Sequence, residues 1–241
     1  MPLVGIPELR EGDDLARELH EAALRAGGLE AADVVVVAQK AVSKVEGRVV
    51  RITDVEASAR AQELAGPEGD PRRVEVILRE SARVVRSRPP LVIAETRHGF
   101  VCASAGVDAS NTPDEDTLVL LPLDPDASAR GLRERLVSLS GVDVGVIVSD
   151  SFGRAWRQGT TDVALGVAGI APLLDLRGTL DAAGRALHTT QIAVADELAG
   201  AAELVLGKAS GIPAAIVSGV DARGDGSAGE LVMPRERDLF R

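Results

Sequence analysis

A run of four consecutive valines, residues 34–37, limits the possible folds more than any other feature of the sequence. The run follows Asp33 and continues into Ala38, so five apolar positions succeed one another without a polar residue. This β-branched segment predicts a strand buried on both faces, because a half-exposed strand would alternate apolar and polar residues. A sheet that contains such a strand must be covered on both sides. We therefore expect a mixed α/β (α+β) fold.

Helix and strand patterns alternate along the rest of the chain. Apolar spacing predicts helices between Asp14 and Gly27 and over residues 56–65, 71–82, 127–138 and 190–206. Strands are predicted at residues 91–96, 99–105, 117–121, 142–149 and 213–217, and the middle strands are expected to pair antiparallel around a tight turn at His98-Gly99. No repeat or Pro-rich linker divides the sequence, so residues 1–241 are predicted to form a single domain with two lobes.

Charge and composition exclude several classes of partner. Lys and Arg total 27 against 37 Asp and Glu, which gives a net charge of −10 that disfavours binding to nucleic acid. The first residues lack the basic and apolar segments of a signal peptide, and no apolar stretch reaches membrane-spanning length. We expect a cytoplasmic protein that binds neither nucleic acid nor membrane. The single Cys102 and three separated histidines show no zinc-ligand spacing.

Lysine is rare in this chain, and its positions are informative. The sequence contains only Lys40, Lys44 and Lys208, beside 24 arginines. Lysine supplies a compact point charge where arginine supplies a planar fork, and phosphate binding is one use of such a charge. Lys40 and Lys44 follow the valine strand, at the end of a sheet where ligands commonly bind. The alternative interpretation is a chance placement of three surface lysines.

The first polar cluster follows a predicted strand at residues 105–111. It places the carboxylate of Asp108 close in sequence to the hydroxyl of Ser110 and the carboxamide of Asn111. Oxygen groups of this kind can bind Mg²⁺ or Mn²⁺ when nucleotide phosphates complete the coordination. The competing explanation is a turn whose side chains satisfy local backbone groups.

The second polar cluster follows the apolar residues 145–148. The predicted strand ends near Asp150 and Ser151, and Arg154 and Arg157 come shortly afterwards. An Asp at a strand end could orient a metal ion, and the arginines could bind phosphate or carboxylate. Pairing of the arginines with surface acids is the alternative.

A third candidate is the loop of residues 207–211, Gly207-Lys208-Ala209-Ser210-Gly211. Its small residues and its lysine could bring backbone N–H groups and a positive charge to a phosphate. The Walker A spacing is absent from the sequence. A glycine that ends a helix explains Gly207 equally well.

Seven short motifs, spread from Gly5 to beyond Gly211, resemble the coenzyme F420-0:L-glutamate ligase family and occur in that family's order. They are Gly5-Ile6-Pro7, Val42-Ser43-Lys44-Val45-Glu46-Gly47-Arg48, Ala105-Gly106-Val107-Asp108-Ala109-Ser110-Asn111, Leu121-Pro122-Leu123-Asp124-Pro125-Asp126, Val148-Ser149-Asp150-Ser151-Phe152-Gly153-Arg154, Val194-Ala195-Asp196-Glu197-Leu198 and Gly211-Ile212-Pro213. The resemblance covers essentially the whole chain, which makes it specific.

The resemblance implies a GTP-dependent ligase that adds L-glutamate to the carboxylate of coenzyme F420-0, extends the γ-glutamyl tail, and releases GDP and phosphate. It implies an F420:gamma-glutamyl ligase-type fold with two lobes, neither P-loop nor ATP-grasp, in an intertwined homodimer. It also implies Mg²⁺ or Mn²⁺, with a pair of divalent ions, and K⁺. In mycobacterial relatives a flavin-binding domain follows this module, whereas archaeal relatives lack that domain, and the sequence is compatible with both arrangements.

The resemblance also assigns roles to individual residues. Asp108 and Asp150 would bind metal, with Ser151 near a second ion. Beside what the resemblance implies, the charges of such a site indicate that Lys44 and Arg154 would stabilise the transferred phosphoryl group. The residues expected to line the GTP site are Ile6, Pro7, Glu8, Leu9, Gln39, Lys40, Lys44, Asn111, Gly207, Lys208, Ala209, Ser210, Gly211, Ile212 and Pro213.

Two positions depart from the archaeal family pattern. Ser151 replaces a Thr and so keeps a hydroxyl, whereas Lys208 stands where the pattern has an acid near the second ion. A charged lysine cannot ligate a cation, so this position supplies no ligand to that ion. Two other functions stay open at this point: a metal-dependent phosphohydrolase or kinase that acts on another substrate, and a GTP-binding scaffold without catalysis.

Overall fold

A computed structural model describes residues 1–112 and 114–239. Pro113, Phe240 and Arg241, which the single-domain prediction for residues 1–241 includes, lie outside the described residues. The helices are α1 (Leu15–Arg25), α2 (Gln39–Val45), α3 (Ala59–Ala65), α4 (Pro71–Glu80), α5 (Pro125–Ser140) and α6 (Val194–Leu206). The strands are β1 (Val34–Ala38), β2 (Val49–Arg51), β3 (Ser81–Arg88), β4 (Leu91–Thr96), β5 (Val101–Ala103), β6 (Thr117–Val119), β7 (Gly145–Arg154), β8 (Arg157–Ala168), β9 (Leu174–Asp175), β10 (Gln191–Ile192) and β11 (Ala214–Val217).

The main sheet has the strand order β11-β1-β7-β8. β1 is parallel to β7, and the other two pairings are antiparallel. Val35 and Val37 of β1 belong to a core cluster shared with α1 and α5, whereas Val34 and Val36 belong to a second cluster shared with α6. The valine strand is therefore buried on both faces, and the prediction of a mixed α/β fold is confirmed.

A second antiparallel sheet, in the order β3-β4-β5, packs with α3 and α4 around a separate core cluster. This confirms the antiparallel pairing predicted for the middle of the chain. The turn between β4 and β5 spans residues 97–100, where the backbone N–H of Gly99 donates to the carbonyl of Thr96. The strands β2 and β6 form a separate antiparallel pair, as do β9 and β10. The two-lobed shape and the homodimer stay predictions.

Several predicted boundaries shift for identifiable reasons. The helix predicted from residue 56 begins at Ala59, because the side chain of Ser58 accepts the N–H of Ala61 and caps it. The strand predicted at residues 142–149 lies at Gly145–Arg154, so the sequence-based prediction that it ends at Asp150 is wrong. No helix in residues 1–112 or 114–239 combines the length and apolar character needed to cross a membrane.

Six of the helices and strands named above were absent from the sequence-based prediction: α2, β2, β3, β8, β9 and β10. The helix α2 has only seven residues, too few to show a clear apolar period. The strand β8 pairs with β7 through a hairpin at Ala155 and Trp156, and Trp156 adopts φ +58°. This turn lacks the Asn-Gly or Asp-Gly pair that usually indicates a hairpin, which explains the omission.

The close approach of β8 to the start of α5 gives a test of this packing. A Cβ added to Gly166 of β8 would lie 2.1 Å from the carbonyl oxygen of Pro125, a backbone atom that cannot move alone. We expect Gly166→Ala to lower the free energy of unfolding by about 2–3 kcal/mol. Gly131 of α5 has no atom within 4 Å of the same added group, so Gly131→Ala should stabilise by about 0.5–1 kcal/mol. Urea denaturation of both variants measures this, and equal midpoints would contradict the packing described.

Candidate active site

A cavity of about 470 Å³ lies where the parallel strands β1 and β7 end their pairing. The loop that precedes α1, the start of α2, the loop of residues 207–213 after α6, and the hairpin β7–β8 enclose it. The lining residues are Ile6, Pro7, Glu8, Leu9, Ala38, Gln39, Lys40, Ala41, Lys44, Asn111, Thr112, Ser149, Asp150, Ser151, Asp162, Glu203, Leu206, Gly207, Lys208, Gly211, Ile212 and Pro213.

The cavity brings together most of the residues that the sequence predicted for the GTP and metal sites. Ile6, Pro7, Glu8, Leu9, Gln39, Lys40, Lys44, Asn111, Gly207, Lys208, Gly211, Ile212, Pro213, Asp150 and Ser151 all line it. Asp108, Arg154, Ala209 and Ser210 do not. The predicted roles of all these residues stay predictions. Residues that line the cavity could contact a ligand there directly, whereas these four lie outside its lining.

All three lysines of the chain line this cavity, and no arginine within the described residues does. Lys44 Nζ lies 2.5 Å from Oε1 of Glu8. The Lys44 side chain is 13% exposed and the Glu8 side chain 68% exposed, so the lysine is held by the fold while its partner is on the surface. An incoming phosphate could take the place of Glu8 at Lys44 without rearrangement of the core.

Lys40 connects the first polar cluster to the cavity. Its Nζ lies 2.7 Å from Oδ2 of Asp108 and donates to Oγ of Ser110 at 2.6 Å. Lys208 Nζ lies 3.8 Å from the same Asp108 oxygen, and Asn111 Nδ2 donates to the carbonyl of Lys208 at 3.2 Å. Two ammonium groups thus converge on one carboxylate at the cavity edge.

The two predicted metal-binding carboxylates have opposite pKa shifts. Burial acts to raise the pKa of Asp108, but the hydrogen bonds from Lys40 and from the Ser110 N–H hold it below its ordinary value. Burial raises the pKa of Asp150 to about 7, and the negative charge of Asp108 also raises it. The hydrogen bond from the Ser151 N–H and the charges of Lys40 and Lys208 lower this pKa and offset only part of the rise. A cation beside Asp150 would favour its ionised form.

Asp162 of β8 is a site residue that sequence reasoning missed. Its buried carboxylate accepts the hydroxyl of Ser149 at 2.9 Å and the hydroxyl of Ser151 at 2.6 Å. Because the Ser151 proton is directed to Asp162, the lone pairs of the Ser151 oxygen can face a cation. An isolated Asp in the Thr-rich start of β8 was the available signal, but it has meaning only once β8 is known to pair with β7.

Gln39 contributes a buried donor without a partner. Its Oε1 accepts the hydroxyl of Ser43 at 2.9 Å, one helical turn along α2. Its Nε2 is buried and has no hydrogen-bond partner among the described residues. Buried polar groups are almost always paired, so this donor indicates an acceptor that is supplied by a ligand or a water.

Arg154 lies at the far end of β7, outside the cavity lining, where its Nη2 donates to the carbonyl of Gln158 at 3.2 Å. Arg157 begins β8 at the same end of the hairpin. Ala209 and Ser210 form the turn after α6, and Ser210 Oγ donates to the carbonyls of Leu206 and Gly207. These two residues therefore shape the loop that carries Lys208 and do not face the cavity.

The donor set fits a divalent ion that is shared with phosphates. No group of three or more His, Cys, Asp or Glu side chains is arranged around a common metal position in the part of the chain that the structure describes. Mg²⁺ and Mn²⁺ commonly take one or two protein carboxylates and complete their coordination with phosphate and water. Asp150, Ser151 and Asp108 provide that number and type of oxygen ligand.

The geometry defines a mixed α/β protein whose central sheet ends at a cavity lined by lysines, carboxylates and hydroxyls. A sequence model described as F420-0:Gamma-glutamyl ligase matches residues 4–219. The chain is 45% identical to the coenzyme F420:L-glutamate ligase of Methanothermobacter thermautotrophicus, over 100% of this chain and 96% of that protein. The chain belongs to the F420-0:gamma-glutamyl ligase family, as its motifs predicted.

Two further relatives have the same name and similar coverage. The coenzyme F420:L-glutamate ligase of Methanopyrus kandleri is 46% identical over 97% of this chain and 94% of that protein. That of Archaeoglobus fulgidus is 42% identical over 100% of this chain and 95% of that protein.

The pair of hydroxyls bound to Asp162 gives a test of the site's framework. We expect Asp162→Ala to lower the free energy of unfolding by about 2–3 kcal/mol, because two hydroxyl donors lose their charged acceptor. Thermal and urea unfolding measure this. Asp116 is exposed, so Asp116→Ala should change stability by less than about 0.5 kcal/mol. Equal effects of the two substitutions would contradict a structural role of Asp162.

Proposed function

We propose that this chain is a GTP-dependent ligase that joins L-glutamate to coenzyme F420-0 and extends the γ-glutamyl tail, with release of GDP and phosphate. Membership of the family supports the substrates. The observation that carries the proposal is the convergence of all three lysines on one cavity beside Asp108 and Asp150. Lysine clusters of this kind bind and neutralise phosphates.

Phosphate would bind between Lys44 and the loop of residues 207–213. The ammonium of Lys44 is positioned by α2, and Lys208 projects from the loop of residues 207–213, which also lines the cavity. The unpartnered amide of Gln39 adds a neutral donor on the floor of the same space. The walls contributed by Ile6, Pro7 and Ile212 would exclude water from the reacting groups.

Asp108, Asp150 and Ser151 would hold Mg²⁺ or Mn²⁺, which when bound supplies Lewis-acid stabilisation of the phosphoryl oxygens. Of the two carboxylates, Asp108 forms an ion pair with Lys40. The pKa of Asp150 is raised, and a bound cation would lower it again. A second divalent ion and K⁺ remain part of the proposal on the family resemblance alone. Lys208 supplies positive charge at this edge of the site.

The proposed reaction has two steps. The carboxylate of F420-0 attacks the γ-phosphorus of GTP, the bond from phosphorus to the GDP oxygen breaks, and an acyl phosphate forms. The amine of glutamate then attacks the acyl carbon, phosphate leaves, and the nitrogen loses a proton. Lys44 would stabilise the charge that spreads over the transferred phosphoryl group, and the closed cavity would favour amide formation over hydrolysis.

Arg154 is the predicted catalytic residue whose placement supports its role least. Arg154 lies at the end of the β7–β8 hairpin. It would reach a phosphate only if the hairpin moved, or if it entered the cavity of the other copy in the proposed homodimer. We retain it in the proposal as a phosphate ligand. A cytoplasmic location is likewise part of the proposal.

The direct test is to mix the purified chain with F420-0, L-glutamate, GTP and Mn²⁺ and to follow the deazaflavin by mass spectrometry beside phosphate release. We expect the mass of one or more glutamyl units to be gained only when GTP is present. Phosphate release without a mass gain would contradict the proposal and favour a phosphohydrolase or kinase. GTP binding with neither product would favour a scaffold.

The metal-binding prediction is tested by Asp150→Asn, which keeps the size of the side chain and removes its charge. We expect ligation to fall by at least about 100-fold while the urea midpoint stays within error, because one charge-stabilising group is lost. Near-normal ligation by a folded Asp150→Asn protein would contradict the assignment. Asp116→Asn, on the exposed surface, is the matched control and should retain full activity.

The lysine prediction is tested by Lys44→Met, which preserves most of the side-chain length. We expect kcat/KM for GTP to fall by about 100-fold or more, since a preorganised positive charge on the phosphoryl group is removed. Arg154→Met in the same assay measures the role of the hairpin arginine. Arg17→Met, on the outer face of α1, should leave the rate unchanged. A Lys44→Met enzyme with unaltered kinetics would exclude Lys44 from catalysis.

A further inference from the structure

A second cavity, of about 190 Å³, lies further along the strand β7 than the lysine-lined cavity. Its walls come from the β4–β5 turn, from β7 and β8, from α6 and from the segment of residues 231–233. The lining residues are Gly99, Phe100, Val101, Phe152, Val163, Ala164, Asp196, Leu231, Val232 and Met233. None of them belongs to the cavity with the lysines.

This second cavity collects aromatic rings in a chain that has very few. Only 2% of the residues are aromatic, yet Phe100 and Phe152 meet here edge to face with ring centroids 6.4 Å apart. The ring of His98 stacks on Phe100 at 5.7 Å. Aromatic walls of this kind favour flat aromatic ligands, because the rings can stack or meet edge to face at small entropic cost.

The strand β7 connects this cavity to the lysine-lined one. Asp150 lines the first cavity and Phe152 lines the second, and residues two apart on a strand point to the same face about 6–7 Å apart. Both face β5, because Phe152 contacts Phe100 and the charge of Asp150 acts on Cys102. A ligand that is aromatic at one end and carries a carboxylate on a side chain could therefore occupy both cavities.

Asp196 supplies a polar group to the otherwise apolar wall. Its Oδ1 accepts the N–H of Ala164 at 2.9 Å. Burial raises the pKa of Asp196, and the bond from Ala164 only partly offsets this. The second oxygen of this half-buried carboxylate can accept an N–H or O–H group on the edge of a heteroaromatic ring.

The wall opposite Phe152 is a separate segment that other contacts hold in place. Residues 231–233 follow a short helical turn, and shortly afterwards Arg235 Nη2 bonds the buried carboxylate of Glu95 at 3.0 Å. Arg83 Nε bonds the other oxygen of Glu95 at 2.7 Å. The cavity is therefore built from anchored elements on each side.

We propose that the cavity between Phe100, Phe152 and Asp196 binds the flat deazaflavin ring of the acceptor substrate. The side chain of the acceptor then extends along β7 past Asp150 and presents its carboxylate at the lysine-lined cavity. This inference rests on the proposed function and names the acceptor subsite within it. This assignment gives a function to the aromatic cavity that lies along β7 from the proposed nucleotide and glutamate site.

The test uses Phe152→Leu, Phe100→Leu and Asp196→Asn in the full chain. We expect each to raise the KM for F420-0 by about 10-fold, with the KM for GTP unchanged, because only ring contacts are lost. Asp196→Asn keeps an oxygen for the Ala164 N–H, so its urea midpoint should match the wild type. Leu24→Ala, an exposed position on α1, is the control and should leave both KM values unchanged.

A direct binding measurement separates this inference from the ligase activity. The probe 5-deazariboflavin has the three-ring system and lacks the acceptor carboxylate, so its fluorescence titration reports the ring site alone. We expect it to bind the wild type, to bind the three variants about 10-fold more weakly, and to compete with F420-0 but not with GTP.

The outcomes are distinct. Unchanged KM values for F420-0 in variants of an active enzyme would overturn the subsite and leave the ligase proposal intact. An inactive wild type would overturn the ligase proposal. In that case the binding titration tests the ring site independently, and failure of 5-deazariboflavin to bind would overturn the proposed ring site. A third outcome is that the variants change the sedimentation of the protein but not its affinity for the probe. The aromatic residues would then belong to a contact between copies of the chain, and the proposed subsite would also be overturned.

Discussion

The parallel pairing of β1 with β7 is the constraint on which the rest of the structure depends. The pair is covered on one side by α1 and α5 and on the other by α6, so its apolar residues have no exposed face. Its register sets Ala38 beside Ser149, which is where both strands change from apolar to polar sequence. Lys40 and Asp150 come shortly after these paired residues in the two neighbouring segments. The site therefore lies at the edge of the sheet where the buried parts of both strands end.

All the lysines of this acidic chain are collected at one site. A protein with a net charge of −10 repels a triphosphate, yet its three lysines line one cavity, where they stand beside the acids Glu8, Asp150, Asp162 and Glu203. Lys40 is held by Asp108 at 2.7 Å, and Lys208 approaches the same oxygen at 3.8 Å. Because the carboxylate is shared, neither lysine is neutralised completely, and the loops of residues 108–111 and 207–211 are drawn together. The same contacts that order the loops therefore leave positive charge available to a phosphate.

The sequence was sufficient for the elements with strong local patterns and insufficient for those defined by pairing. The valine strand and the helix α5 were predictable because burial and apolar spacing are properties of short segments. The strand β8 was not, because its start is polar and its turn at Trp156 lacks a local signal. Asp162 was missed with it, since its role depends on two serines across the hairpin. Arg154 was grouped with the site by nearness in sequence, whereas the extended strand takes it away from the cavity.

On the proposed acceptor site, one short motif of the strand β7 would serve both ends of an elongated acceptor. Ser149 and Ser151 point to one face and bond Asp162, while Asp150 and Phe152 point to the other. The pairing of β7 with β1 ends at Ser149, but residues 149–153 stay paired with β8. This pairing holds the alternating groups at a regular spacing, which a loop could not do. The distance between the proposed aromatic ring site and the proposed phosphoryl-transfer site would then be set by the backbone itself. Insertion of a single residue between Asp150 and Phe152 would turn the ring to the opposite face, so the spacing of this motif is a requirement of the geometry.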